Sequence, residues 1–90
     1  MAKMAGIAAR FAEMLSMPAD LLAGVPKVTV TGRRRALVEN HRGLLRYERE
    51  VIEIKGGRMV LRVRGEGLTL VSMRGSELLI EGDIFSTEFE

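Results

Sequence analysis

The stretch VIEIKGGRMVLRVRGEGLTLVSMRGSELLIEGDIFSTEFE, which spans residues 51–90, decides the fold of this protein. Glycine interrupts it at short intervals and divides it into apolar runs of strand-forming residues. Short runs of this kind, bounded by turn residues, are typical of an antiparallel meander. We therefore predict strands at 51–54, 59–63, 68–71, 78–80 and 84–85.

Two glycine-containing turns predict the register of these strands. Gly56-Gly57 suits a type I′ hairpin loop, whose central residues both need positive φ, and Gly65-Glu66 is the next candidate for a two-residue loop. Because alternate residues of a strand point to the same side, these loops place one apolar face across three strands. In this register Ile54 faces Met59, Leu61 faces both Ile52 and Leu70, and Val63 faces Leu68.

The opposite face of these strands mixes apolar and charged side chains, whereas a solvated face is normally polar throughout. A mixed face predicts partial cover by an N-terminal helix or by another copy of the chain. If its apolar members are widely exposed in a monomer, this interpretation is wrong. The candidate interaction residues on this face are Val51, Arg58, Val60, Arg62, Val71 and Met73.

The preceding residues predict three more strands. Residues 27–31 alternate and are β-branched. A turn at 32–35 leads into a strand at 36–39. Asparagine opens and glycine closes the segment Asn40–Gly43, which is typical of a hairpin loop, and a strand at 44–48 follows.

Residues 1–25 predict a short amphipathic helix and a linker. Apolar side chains of residues 2–16 recur with a 3.6-residue period, and Pro18 ends the pattern. The helix is too short to be stable alone in water. We expect its apolar face to rest on the domain's own sheet or a neighbouring subunit, and the alternative is a membrane surface or a partner's groove. The residues expected to dock are Met4, Ile7, Phe11 and Leu15.

These patterns predict a mainly β protein. An antiparallel meander, sandwich- or barrel-like, covers residues 26–90 and forms one folding unit with the helix. The 90-residue chain has no cysteine, which excludes disulfides and thiolate metal sites. A domain this small without such staples often gains stability by oligomerising, so we expect a homo-oligomer. No apolar run approaches the ~20 residues of a membrane-spanning helix, and the N-terminus is unlike a secretory signal. We expect the protein to stay in the compartment where it is made.

The sequence contains no recognisable catalytic or metal-binding motif. His41 is the single histidine, and one histidine without cysteine makes no metal constellation. We expect it to be an exposed turn residue. No serine stands in a G-x-S-x-G context, and the segment around Gly65 and Gly67 is not followed by the helix that a phosphate-binding loop requires. The sequence therefore predicts a protein that is not an enzyme and has no cofactor.

The alternative function that the residue chemistry favours most is nucleic-acid binding. The arginines supply a possible basic face on a small β-barrel, and such barrels bind single strands through basic grooves and stacking aromatics. Aromatic residues are only 4% of the chain, the net charge is only +2, and glutamates intersperse the arginines. A solvated sheet face with ion pairs explains this pattern better, so we expect no nucleic-acid partner.

Several segments resemble the YabP/YqfC family of small sporulation proteins from spore-forming Firmicutes. The resemblance covers nearly the whole chain, and its most specific part is the string Glu39-Asn-His-Arg-Gly43. The other segments are Pro18 with Asp20, Pro26 leading into 28–32, Val38, Tyr47, 61–70, 79–84 and 88–89.

This resemblance implies a protein that is made in the mother cell and is needed for spore assembly. It implies a cytoplasmic location and a membrane-associated protein as partner, and it implies no catalytic residues. If the family string is a functional contact, its candidate interaction residues are Asn40, His41, Arg42 and Gly43.

Overall fold

The computed structural model describes residues 25–90, which form one six-stranded antiparallel sheet. The mainly β prediction is confirmed, whereas the predicted N-terminal helix lies outside the described residues. The strand order is β1-β2-β6-β5-β4-β3. The strands are β1 (Lys27–Thr31), β2 (Arg35–Glu39), β3 (Gly43–Tyr47), β4 (Val51–Gly56), β5 (Met59–Arg74) and β6 (Glu77–Phe89).

The two long strands, β5 and β6, join two halves of the sheet. The beginning of β5 pairs with β4 as far as Arg64, and its end pairs only with β6. The beginning of β6 pairs with β2 as far as Glu81, and its end pairs only with β5. The β1–β2 half therefore contains the end of β5, and the β3–β4 half contains the end of β6.

The bend between the halves depends on glycine. A Cβ atom on Gly65 would collide with the carbonyl oxygen of Asp83 on β6, and a Cβ on Gly82 would lie 2.8 Å from the carbonyl oxygen of Gly67. The pairing of β5 with β6 shifts register on either side of this point. The prediction of a two-residue loop at Gly65-Glu66 is wrong. The chain continues as β5, and the glycine permits a close approach of β5 to its paired neighbour β6.

The predicted loop at Gly56-Gly57 is displaced by one residue. Gly56 is the last residue of β4 and pairs with Met59, which leaves Gly57 and Arg58 in the turn. A Cβ on Gly56 would lie 2.5 Å from the Cγ atom of Pro26. The absence of a side chain at Gly56 therefore leaves room for Pro26, which directly precedes β1. Of the two glycines, only Gly57 has the positive φ of a turn residue.

Because the turn is displaced, each residue of β4 pairs with a β5 residue two positions later than predicted. A shift of two residues keeps every side chain on the predicted face of the sheet. Ile54 pairs with Leu61 and Ile52 with Val63, and all four remain on the buried side. The core consists of Ala36, Val38, Ile52, Ile54, Leu61, Val63, Leu68, Leu78, Ile80 and Ile84. It draws on both halves of the bent sheet.

The segment Asn40–Gly43 is not a hairpin loop. It joins β2 to β3, and these strands are not neighbours in the sheet. The segment crosses from one half of the molecule to the other. The hairpin prediction failed because asparagine and glycine report a local change of direction, whereas the partner of the returning strand depends on the whole sheet.

Candidate functional site

The connecting segment Asn40–Gly43 binds three separate parts of the chain. The Asn40 side-chain amide donates to the Val25 carbonyl over 3.3 Å. The backbone N–H of His41 donates to Ser76 at the β5–β6 turn, and the backbone N–H of Arg42 donates to Lys55 on β4. Positive φ at Asn40 is tolerated by asparagine better than by most residues. These contacts give the family string a structural role.

His41 is buried, with 8% of its surface exposed, so the prediction of an exposed turn residue is wrong. Its Nδ1 atom accepts a 3.1 Å hydrogen bond from the backbone N–H of Gly43. A neutral imidazole that accepts at Nδ1 carries its proton on Nε2. The Nε2 atom is buried and has no hydrogen-bond partner among residues 25–90. The imidazole ring therefore occupies a buried position in the segment that connects the halves, and its hydrogen bond to Gly43 holds the conformation of that segment.

A charge ladder crosses the outer face of the β3–β4 half. Arg46, Glu53, Arg62 and Glu88 are directly opposite one another on four successive strands. Opposite charges at directly paired positions stabilise an antiparallel sheet. The Arg62 guanidinium lies 2.9 Å from Glu53 and 3.8 Å from Glu88, and Arg46 lies 3.8 Å from Glu53.

The ladder extends to neighbouring residues and shifts their proton affinities. Arg62 also bonds the carboxylate of Glu90, and hydrogen bonds to Glu90 and then Glu53 raise the pKa of Arg62. The same hydrogen bond, followed by the charge of Arg62, lowers the pKa of Glu90. A hydrogen bond to Glu48 raises the pKa of Arg46. The arginines and glutamates of the ladder therefore form ion pairs with one another within the chain.

The residues predicted to share a mixed face do not form one surface. Val51 is buried at 7% exposure, and Val60 is half-buried. Val71 and Met73 are exposed, but the bend of β5 carries them into the other half. Met73 pairs with the buried Leu78 and lies on the core side of the sheet. The prediction of a continuous face failed because it assumed a second hairpin where β5 continues.

Two of the predicted interaction residues meet at a shallow depression where the described chain begins. Arg42 and Arg58 line it together with Val25 and Met59, whose side chains are partly exposed. No ion pair involving either arginine is formed within residues 25–90. No sequence signal identifies this site, since its lining comes from three distant segments. The remaining lining residues are Pro26, Gly56 and Gly57.

The end of β6 presents exposed aromatic residues that the sequence search did not select. Phe85 is 55% exposed and Phe89 is 47% exposed. No partner strand lies on the outer side of this segment within the described part of the chain, because β2 pairs with β6 only at residues 78–81. Two aromatic residues close together at the end of the sequence could have indicated an exposed apolar surface. They could be placed at a strand edge only once the strand order was known.

The arginines do not form a continuous free basic face. Arg33, Arg35, Arg46, Arg62 and Arg64 each pair with a carboxylate. No observation favours the nucleic-acid alternative. In residues 25–90, no three histidine or acidic side chains are grouped as metal ligands would be. The same residues contain no helix long and apolar enough to cross a membrane.

Comparison with known proteins identifies the family. The profile of the YabP family matches residues 23–90. The protein YqfC of Bacillus subtilis (strain 168), described as uncharacterized, is 35% identical over 72 residues, which cover 78% of this chain and 75% of that protein. No solved structure was found to match the chain. The chain belongs to the YabP family, as the resemblance to the YabP/YqfC family predicted.

Proposed function

We propose that this protein is a non-enzymatic assembly protein of endospore formation, acting in the mother-cell cytoplasm. It would work by self-association or by binding a membrane-associated sporulation protein. Membership in the YabP family supports the process, through the sporulation role that the resemblance implies. The proposed function requires no cofactor or other bound small molecule.

One observation about the surface carries the proposal of an interaction role. Charged groups on the outer face of the β3–β4 half are already paired with one another. The large exposed apolar side chains lie instead along rims of the sheet and along edges that have no partner strand within residues 25–90, as with Met73, Phe85 and Phe89. Apolar groups at unpaired strand edges favour association with another polypeptide.

Deletion of the gene in its spore-forming host tests the process. We expect vegetative growth to be unchanged and heat-resistant spore counts to fall, with recovery when the gene is expressed only in the mother cell. A fluorescent fusion should appear in the mother cell during sporulation. Normal spore counts, or rescue only by expression in the forespore, would refute the proposal.

Binding to a membrane-associated partner is tested separately, by sedimentation with membranes. The protein from sporulating cells should sediment with membranes, whereas the purified chain should not sediment with protein-free vesicles. Binding of the purified chain to vesicles would favour direct contact through residues 1–17, and a chain lacking those residues is the control. Absence from membranes in sporulating cells would leave self-association as the proposed mechanism.

A further inference from the structure

We infer that residues 86–90, the end of β6 with the residue that follows it, pair with the same segment of a second copy and continue the sheet across a two-fold axis. This inference rests on the proposed assembly function and names its surface and its partner. The two strands would run antiparallel, as an isologous dimer requires. Four observations support it.

The backbone of this segment has hydrogen-bonding groups that find no partner within residues 25–90. Val60 and Glu90 exchange both backbone hydrogen bonds, at 2.8 and 2.9 Å. The register then runs without a shift from Leu61–Phe89 to Arg64–Ser86. Because bonded and non-bonded pairs alternate in an antiparallel ladder, the N–H and C=O groups of Thr87 and Phe89 point away from β5.

No other described strand receives those groups. The carbonyls of Arg34 and Arg33 accept from Gly82 and Ile84, so the β1–β2 turn covers β6 only up to its bend. No Cα atom of β1 lies within 8 Å of one in β6. An unpaired edge of this kind is a template for another strand.

The other open edges of the sheet are blunted, which distinguishes the end of β6. On β5, the Tyr47 hydroxyl accepts from Leu70 and the Arg49 carbonyl accepts from Leu68. A register shift at Val71 leaves only the short edge of residues 72–74 beyond them. Strand β3 shifts register between Leu44 and Arg46. Strand β1 is short and follows Pro26. Irregularity, proline and covering groups are the usual means by which proteins prevent edge pairing.

Charge and apolar surface suit a second copy in antiparallel orientation. The Arg33–Arg34 turn lies at the bend where this segment begins, and Glu88 and Glu90 lie at its end. Arg33 of this turn is paired with Asp83, and the two glutamates are paired with arginines of β5. Arg34 has no ion pair within residues 25–90. A two-fold axis near Thr87 brings Arg34 of each copy toward the acidic end of the other. It also brings Phe89 of one copy toward Phe85 of its mate, and both side chains are about half exposed in one chain. This is charge and apolar complementarity between identical surfaces.

The first test compares the full chain with Thr87→Pro and Phe89→Lys by light scattering over a range of concentrations. Proline at 87 removes an outward N–H without breaking the ladder to β5, and proline is tolerated where that N–H faces outward. We expect the wild-type chain at twice its monomer mass and each variant to dissociate at concentrations at least ~100-fold higher, as expected for loss of paired and complementary groups. Val71→Lys, on the blunted edge of β5, is the matched control and should remain dimeric.

Amide hydrogen exchange supplies the second measurement and needs no variant. The amides of Thr87 and Phe89 should exchange slowly at high protein concentration and quickly after dilution. A wild-type monomer, a dimer that survives both edge variants, or protection of these amides in a monomer would overturn the inference. A monomer with a clear spore defect on deletion would overturn it and leave the proposed function standing.

Discussion

The two halves of the sheet share one backbone plan but present different outer surfaces. The row Arg46, Glu53, Arg62, Glu88 crosses the β3–β4 half, whereas the row Thr29, Leu37, Leu79, Ser72 crosses the β1–β2 half. The first row is charged and internally paired, and the second is neutral. The backbone pairing therefore does not depend on the chemistry of the outward residues, and each half is free to carry a different surface.

The halves also differ in how their open edges are treated. The turn of the β3–β4 hairpin covers β5, where the Arg49 carbonyl and the Tyr47 hydroxyl accept backbone N–H groups. The turn of the β1–β2 hairpin offers only backbone carbonyls to β6, and only as far as Ile84. The comparison teaches that a tyrosine at one strand end extends the covered part of an edge by one backbone N–H, that of Leu70, and that the other hairpin has no such side chain.

The largest expected effect comes from breaking the bend that both halves share. Gly65→Ala places a methyl group against the Asp83 carbonyl, and relief requires the two long strands to separate. We expect a loss of roughly 3 kcal/mol in the free energy of unfolding, at the upper end for an overpacked site. Urea unfolding measures it. The neighbouring exposed residue is the control, and Glu66→Ala should stay within about 0.5 kcal/mol of wild type.

Loosening the connection between the halves has the next largest effect. His41→Ala removes the acceptor of the Gly43 N–H and leaves a space in a buried position. We expect a loss of about 2 kcal/mol, the cost of an unsatisfied polar group and a vacated site. Thermal unfolding of His41→Ala and Arg42→Ala separates the two roles of the family string. Equal stability of both variants would indicate that the string is a contact surface and not a structural connection.

Opening the covered edge of β5 makes the two halves more alike. Tyr47→Phe keeps the ring and removes the hydroxyl that accepts from Leu70. The expected loss is about 1 kcal/mol, the usual net value of one hydrogen bond. The amide of Leu70 should exchange faster while those in β4 are unchanged. An unchanged exchange rate at Leu70 would show that the hydroxyl does not cover this edge.

The smallest effect concerns the charge ladder and appears as a change with pH. The pKa of Glu90 is lowered in the folded state, so its stabilising contribution is present above the unfolded value and is lost as pH falls through the folded one. This acid window lies below roughly pH 4.3, the usual value of a glutamate. Arg62→Ala should return the Glu90 pKa toward that value. Carbon-detected NMR titration of the carboxyl measures it, and no change would show that Arg62 does not hold this carboxylate.

Alternation along the strands predicted the buried residues better than it predicted their partners. Ile52, Ile54, Leu61 and Val63 are on the core side as expected, because a shift of two residues preserves the face. The exact partners depended on which glycine turns the chain. Gly56 could not be recognised as a strand residue from its neighbours, because Pro26, thirty positions earlier, explains it.

The candidate site shows the same limit at longer range. Arg62 was selected for its place on a mixed face, but its partners are Glu53 on β4, Glu88 on β6 and Glu90, which follows β6. His41 was noted as the single histidine, but its burial depends on a strand order in which β2 and β3 are not neighbours. The open edge of β6 could not be predicted, since it depends on where β2 stops pairing.

The sequence by itself determined the strand-rich chemistry, the apolar face and the family, because these depend on residue type and on spacing along the chain. Only the tertiary structure decided which glycines turn the chain and which allow paired strands to approach closely. It also decided which edges are covered and which charges meet. Those properties depend on atoms brought together from distant positions, and a bent sheet brings them together in a way that local alternation does not encode.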